Sequence, residues 1–108
     1  MQFPLKFTIP SIDGEMGWGR AQTFIGQYSS MKLQVATDYI LQTYSPNEIG
    51  QFGYYVTRVQ LSDGTTAFTV QGLYKSSIFY NGSDKADLNA HVLAYYIATG
   101  KLNALIHR

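Results

Sequence analysis

Gly53-Tyr54-Tyr55-Val56-Thr57-Arg58-Val59-Gln60-Leu61-Ser62-Asp63-Gly64-Thr65-Thr66-Ala67-Phe68-Thr69-Val70-Gln71-Gly72-Leu73-Tyr74-Lys75 reads as a β-hairpin. Two runs rich in β-branched and aromatic residues flank Asp63-Gly64, a dipeptide that favours a two-residue turn of type I′. Such a turn pairs Ser62 with Thr65, and the register then follows by counting outward. Leu61 is expected opposite Thr66, Val59 opposite Phe68, Thr57 opposite Val70 and Tyr55 opposite Gly72, forming the core face. The other face takes Tyr54, Val56 with Gln71, Arg58 with Thr69, and Gln60 with Ala67. Side chains alternate along a strand, so a slip of one residue exchanges the two faces. Gly72 opposite Tyr55 suggests a ring lying over bare backbone.

Downstream of the hairpin, Asn81-Gly82 marks a turn and Ser83 is a good N-cap. A helix is expected over about 84–99, with Asp84 and Asp87 in its first turn, where negative charge suits the helix dipole. Leu88, Val92, Tyr95, Tyr96 and Thr99 form one stripe along it, and Gly100 is a natural stop. The tail 101–108, with Leu102, Leu105 and Ile106, reads either as a short helix or as a last strand.

Upstream, Leu33, Ala36, Ile40, Leu41 and Tyr44 recur at helical spacing. With Ser29 and Ser30 as caps and Pro46 as a stop, they predict a first helix over about 30–44. Residues 13–26 contain Gly14, Gly17, Gly19 and Gly26 and read as a loop, the length of loop that often carries function. Phe3, Leu5, Phe7 and Ile9 alternate with polar residues in a strand that Pro4 and Pro10 confine to a sheet edge. The expected fold is α+β. A small, mainly antiparallel sheet centred on the 53–75 hairpin carries two helices, 30–44 and 84–99, on one face. Residues 1–108 are expected to form a single compact domain. The opposite face is left partly open, with Val56, Arg58, Gln60, Thr69 and Gln71 on it.

Composition narrows the chemistry. The 108 residues include no cysteine, which removes disulfides, thiolate metal sites and thiol nucleophiles. The formal net charge of +1 lacks the basic excess that a phosphate backbone demands. No apolar run approaches the roughly 20 residues of a membrane helix. The N-terminus lacks a signal peptide's features, which points to a cytoplasm, a host's if the chain is phage-encoded.

Specific constellations are sparse. Gly14, Gly17 and Gly19 match neither a dinucleotide fingerprint nor a P-loop. Asp87 and His91, four apart on a helix, are the one acid–histidine pair, and they lack the further ligands a metal needs. No nucleophile elbow is present, so no catalytic residue, metal or cofactor is assigned.

Aromatics make up 15% of the chain, with nine tyrosines, more than one small core would use. Tyrosine buries a ring while its hydroxyl stays wet, and contact surfaces favour aromatics over charge. The leading expectation is therefore a non-enzymatic protein-interaction domain binding another protein or itself. It would act as a small inhibitor or adaptor, of the phage or mobile-element accessory type, or as a self-associating subunit. Trp18 and Arg20 in the glycine-rich loop, with Tyr54 and Arg58 on the hairpin's open face, are the expected contact residues, because Trp, Tyr and Arg dominate binding hot spots. A competing reading makes Trp18 the lid of a small core. The alternative function is single-stranded nucleic-acid binding, with Arg20, Lys32, Arg58 and Lys75 interleaved with exposed tyrosines.

Overall fold

Two long strands, β4 (Phe52–Gln60) and β5 (Thr65–Tyr74), form the hairpin at the centre of a five-stranded antiparallel sheet. Outside β5 lies β1 (Lys6–Pro10); outside β4 lie β3 (Ile40–Thr43) and then β2 (Leu33–Ala36). Two helices, α1 (Gly14–Tyr28) and α2 (Ser83–Thr99), pack together on one face. The computed structural model describes residues 3–79 and 81–103. The α+β class, the central hairpin and the one-sided pair of helices all match the sequence reading. The proline-bounded strand also lies at the sheet edge, as expected.

The hairpin register differs from the sequence reading by one residue. Gln60 pairs with Thr66, Arg58 with Phe68, Val56 with Val70 and Tyr54 with Gly72. The Leu61 amide donates to the Thr65 carbonyl at 2.8 Å, so the connection holds three residues, Ser62, Asp63 and Gly64. Gly64 has φ +86, the left-handed conformation that ends a three-residue hairpin loop. Asp63 Oδ1 accepts the Thr65 amide at 3.0 Å and the Thr65 hydroxyl at 2.6 Å, which holds the turn closed. This one-residue change leaves the β5 faces as expected and exchanges those of β4. Tyr54, Val56 and Arg58 point toward the helices, while Tyr55, Thr57 and Val59 point away.

The first helix also moves. Residues expected as a loop form α1, and those expected as the helix 30–44 form the β2–β3 hairpin. Gly17, Trp18, Ala21, Phe24 and Ile25 are all buried and recur at helical spacing. Four glycines weaken the helix by about 1 kcal/mol each relative to alanine. Burying Trp18, Phe24 and Ile25 returns about 1.5–3 kcal/mol apiece, so packing outweighs propensity. Gly17 is required where it stands, because a Cβ there would lie 3.2 Å from Ile9, Phe68 and Ile97 at once.

Ser29 and Ser30 do not begin a helix. The Ser29 amide closes α1 by donating to the Ile25 carbonyl at 3.1 Å. Ser30 Oγ donates to the Phe52 carbonyl at 3.1 Å and accepts the Phe52 amide at 3.0 Å, tying the approach to β2 onto β4. Thr37 then turns the chain: its hydroxyl accepts the amides of Tyr39 and Ile40.

α2 follows the sequence closely. At its start it is Asn81 Oδ1 that accepts the Ser83 amide, at 2.9 Å, in place of the capping role expected of Ser83. Gly100, at φ +76, ends the helix with its amide on the Tyr96 carbonyl. Residues 101–103 are irregular, and the rest of the tail lies outside the described residues. Gly72 faces Tyr54 rather than Tyr55, and it serves the helix: a Cβ there would land on the Ala86 carbonyl oxygen. The core between the layers is aromatic. Phe7 stacks on Phe68 with centroids 5.5 Å apart, and Phe24 meets Tyr54 edge-on at 5.5 Å.

Candidate protein-contact surface

The register places the four expected contact residues. Trp18 is 4% exposed on the inner side of α1, its ring tilted against Phe68, and its indole N–H donates to the Thr37 carbonyl at 3.2 Å. Tyr54 is fully buried. Burial pushes its phenol well above the usual tyrosine range, and its hydroxyl has no hydrogen-bond partner among the described residues. The expectation that Tyr54 and Arg58 lie on the open face is therefore corrected: the three-residue turn puts both under the helices.

Arg58 is an internal clamp. Its guanidinium lies 4.6 Å from the centre of the Trp18 ring. Nε donates to the Asp38 carbonyl at 2.5 Å, and Nη1 donates to the Gly14 carbonyl at 3.3 Å. Glu15 pairs with it at 3.1 Å from the solvent side. A cation over an indole face, with its forked donors on backbone carbonyls, fastens the start of α1 to the β2–β3 turn. A polar pocket of about 240 Å3 opens beside it, lined by Ser11, Glu15, Asp38 and Tyr39 among others.

Arg20 is partly buried elsewhere. Its Nη1 donates to the Ile97 carbonyl at 3.0 Å, and its guanidinium packs where a Gly100 side chain would stand. α2 has no basic residue in its own last turn, so Arg20 of α1 supplies the positive charge that a helix C-terminus favours. The structure thus joins Trp18 with Arg58, leaves Tyr54 and Arg20 at separate positions, and gathers no surface from the four. Of the expected basic stripe, Arg20 and Arg58 are held by internal partners, whereas Lys32 and Lys75 are exposed.

The acid–histidine pair forms, with His91 Nε2 3.3 Å from Asp87 Oδ2. His91 Nδ1 meets the Phe3 carbonyl, so the ring ties the N-terminal segment to α2. Among the described residues no group of three histidine, cysteine or acidic side chains could hold a metal.

The surface left uncovered is the other side of the sheet. Strand alternation and pairing place Tyr55, Thr57 and Val59 of β4 there, with Ala67, Thr69 and Gln71 of β5. Lys6 and Thr8 of β1 flank them on one side, Ile40 and Gln42 of β3 and Val35 of β2 on the other. Lys6, on the edge strand, is the one charged residue in this set. Thr57 and Thr69 pair directly, and with Tyr55 and Gln71 they line a shallow depression of about 230 Å3. Val59 is 56% exposed, while Tyr55, Thr57 and Thr69 are half-buried by their neighbours. Of the open-face residues expected from sequence, Thr69 and Gln71 are here; Val56, Arg58 and Gln60 are on the helix side. Tyr55, Thr57 and Val59 were missed because their alternation fits either face, and only the turn length decides between them.

Among the described residues no helix is long and apolar enough to cross a membrane. No family model, curated protein or solved structure matches the chain.

Proposed function

We propose that the chain is a non-enzymatic protein-interaction domain that docks through the open face of its sheet. The observation that carries this reading is the composition of that face: among the described residues it has threonine, valine, isoleucine, alanine, glutamine and one tyrosine, with a single charge at the edge. Contact centres are depleted in charge and combine apolar groups with neutral hydrogen-bonding ones, the mixture this face offers. The domain would act in a cytoplasm, as a small inhibitor or adaptor on a larger protein or as a self-associating subunit.

A binder of single-stranded nucleic acid needs several stacking rings set among cations. Among the described residues the open face has one ring, Tyr55, and one cation, Lys6, which favours a protein partner. The test is the double variant Thr57→Lys, Thr69→Lys, compared with the parent for association with itself and with other proteins. Loss of association with an unchanged circular dichroism spectrum is the expected result. Association that survives both lysines removes this face from the function.

A further inference from the structure

We infer that the polar pocket beside Arg58 is a binding site for a small neutral polyol, a single sugar ring. It lies on the helix side of the hairpin, away from the open face, and is independent of the docking proposed there. Its donors, its charges and its rim each narrow the occupant.

The pocket is built around a fixed donor. The Arg58 side chain is only 11% exposed, with Nε and Nη1 on the Asp38 and Gly14 carbonyls and the Trp18 ring against it. Its backbone amide donates to the Tyr39 carbonyl at 3.1 Å, which ties this donor to the pocket rim. Among the described residues its other polar side-chain partner is Glu15, 87% exposed. Two carbonyls and one carboxylate do not exhaust the five donors of a guanidinium. Beside it the Ser11 and Thr66 hydroxyls bond to each other at 3.0 Å. That bond uses one of their two hydrogens and leaves a donor and lone pairs for a ligand. Groups already held in place lose little freedom when a ligand arrives.

Charge selects the ligand class. Two acidic residues, Glu15 and Asp38, line the pocket together with the one basic residue. A simple anion would approach both carboxylates, and a simple cation would approach the guanidinium, so each meets its own sign at close range. A hydroxyl donates and accepts at the same oxygen. Several hydroxyls on one frame therefore bridge guanidinium donors to carboxylate acceptors without adding charge. Gln60 contributes an amide, which also offers both.

Size and rim point to a ring. The volume of about 240 Å3 lies below the roughly 300 Å3 at which clefts take drug-sized ligands, so one small ring fits. Tyr39 lines the pocket and is 64% exposed. The Thr37 hydroxyl accepts its amide at 3.1 Å, which fixes its backbone. The face of an aromatic ring is negative and attracts the slightly positive hydrogens of C–H bonds. A sugar has hydroxyls around its edge and C–H bonds on its face, matching the polar pocket and the aromatic rim.

The experiment is a nitrogen-15 NMR titration of the full chain with glucose, galactose, mannose and N-acetylglucosamine. Acetate, methylammonium and glycine are titrated in parallel as an anion, a cation and a zwitterion. At least one sugar is expected to shift the amides of Gly14, Glu15, Tyr39 and Thr66 saturably. A dissociation constant of about 1–20 mM is expected, the weak affinity that so few atoms allow. Tyr39→Ala should weaken that binding at least about fivefold, and Tyr39→Phe should retain it, because the ring face makes the contact. Both substitutions fall at an exposed position, and the remaining amide signals verify the fold. No saturable shift from any of the sugars at about 100 mM overturns the inference, as does a sugar affinity unchanged in Tyr39→Ala. Saturable binding of acetate, methylammonium or glycine in place of the sugars overturns the ligand class.

Discussion

The two faces of the central hairpin are built from interleaved residues of the same strands, yet their physical characters are opposite. On the helix side, Tyr54, Val56, Phe68 and Val70 are at most 2% exposed, locked among Trp18, Phe24 and the alanines of α2. On the other side, Tyr55, Thr57, Ala67 and Thr69 are only half-buried, by one another and by the adjoining strands β1 and β3. Adjacent tyrosines show the difference most plainly. Tyr54 is sealed in with a hydroxyl that has no partner among the described residues, and Tyr55 is only half-buried. A strand residue's identity says little about its role until the register is known.

The sharpest way to break that comparison is to truncate each tyrosine in turn. Tyr54→Ala should cost about 3–5 kcal/mol, the usual result of removing a buried ring. Tyr55→Ala should cost about 1 kcal/mol, because it loses only cross-strand contacts. Urea denaturation of both variants measures the contrast, and equal losses would mean that the register is wrong. Tyr54→Phe should lie within about 1 kcal/mol of the parent, since the hydroxyl it removes has no partner among the described residues.

Arg58 gives the next largest effect. Arg58→Ala should cost about 2–3 kcal/mol, because it strips a charged donor from the Asp38 and Gly14 carbonyls and a cation from the Trp18 ring. Glu15→Ala, at the exposed end of the same ion pair, should cost no more than about 0.5 kcal/mol. Thermal denaturation of the two variants separates an interior clamp from a surface pair.

The outward side of α1 should respond in the opposite sense. Gly19 and Gly26 have open space where a Cβ would go. Gly19→Ala and Gly26→Ala should each raise stability by about 0.5–1 kcal/mol, by removing a helix-interior glycine. Gly17→Ala should destabilise instead, having three side chains against it. A stabilising Gly17→Ala would show that α1 does not pack as described.

The smallest effect concerns the turn that sets the register. Hydrogen bonds from the Thr65 hydroxyl and amide hold the Asp63 carboxyl below the ordinary carboxylate range. The folded-state value is thus lower than the unfolded one. Its contribution is complete above the unfolded value and fades as pH falls through the folded one. A carbon-13 titration of Asp63 should give a depressed midpoint, and Thr65→Val should return it toward the ordinary value.

Local signals in the sequence were enough for the central hairpin, the proline-bounded edge strand, α2 and its Gly100 stop, because each depends on a turn, a breaker or a period within a few residues. Thr69 and Gln71 of the open face were legible for the same reason: the β5 faces were assigned correctly. The rest was settled between elements. Asp63-Gly64 suits both a two-residue and a three-residue loop, and only the packing of Tyr54 and Val56 under two helices selects the longer one. Glycines argue against a helix at 14–28 until Gly17 is seen to let α1 approach the sheet and α2 together. The periodicity at 33–44 is compatible with a helix until Ser29 and Ser30 are committed to other partners. Trp18, Arg20, Tyr54 and Arg58 have the composition of a binding site, yet the fold turns their apolar area and directed donors inward. Sequence by itself determined what could form locally; tertiary packing decided which face of each element is buried, because the burial of large side chains outweighs the smaller preferences of turns and helices.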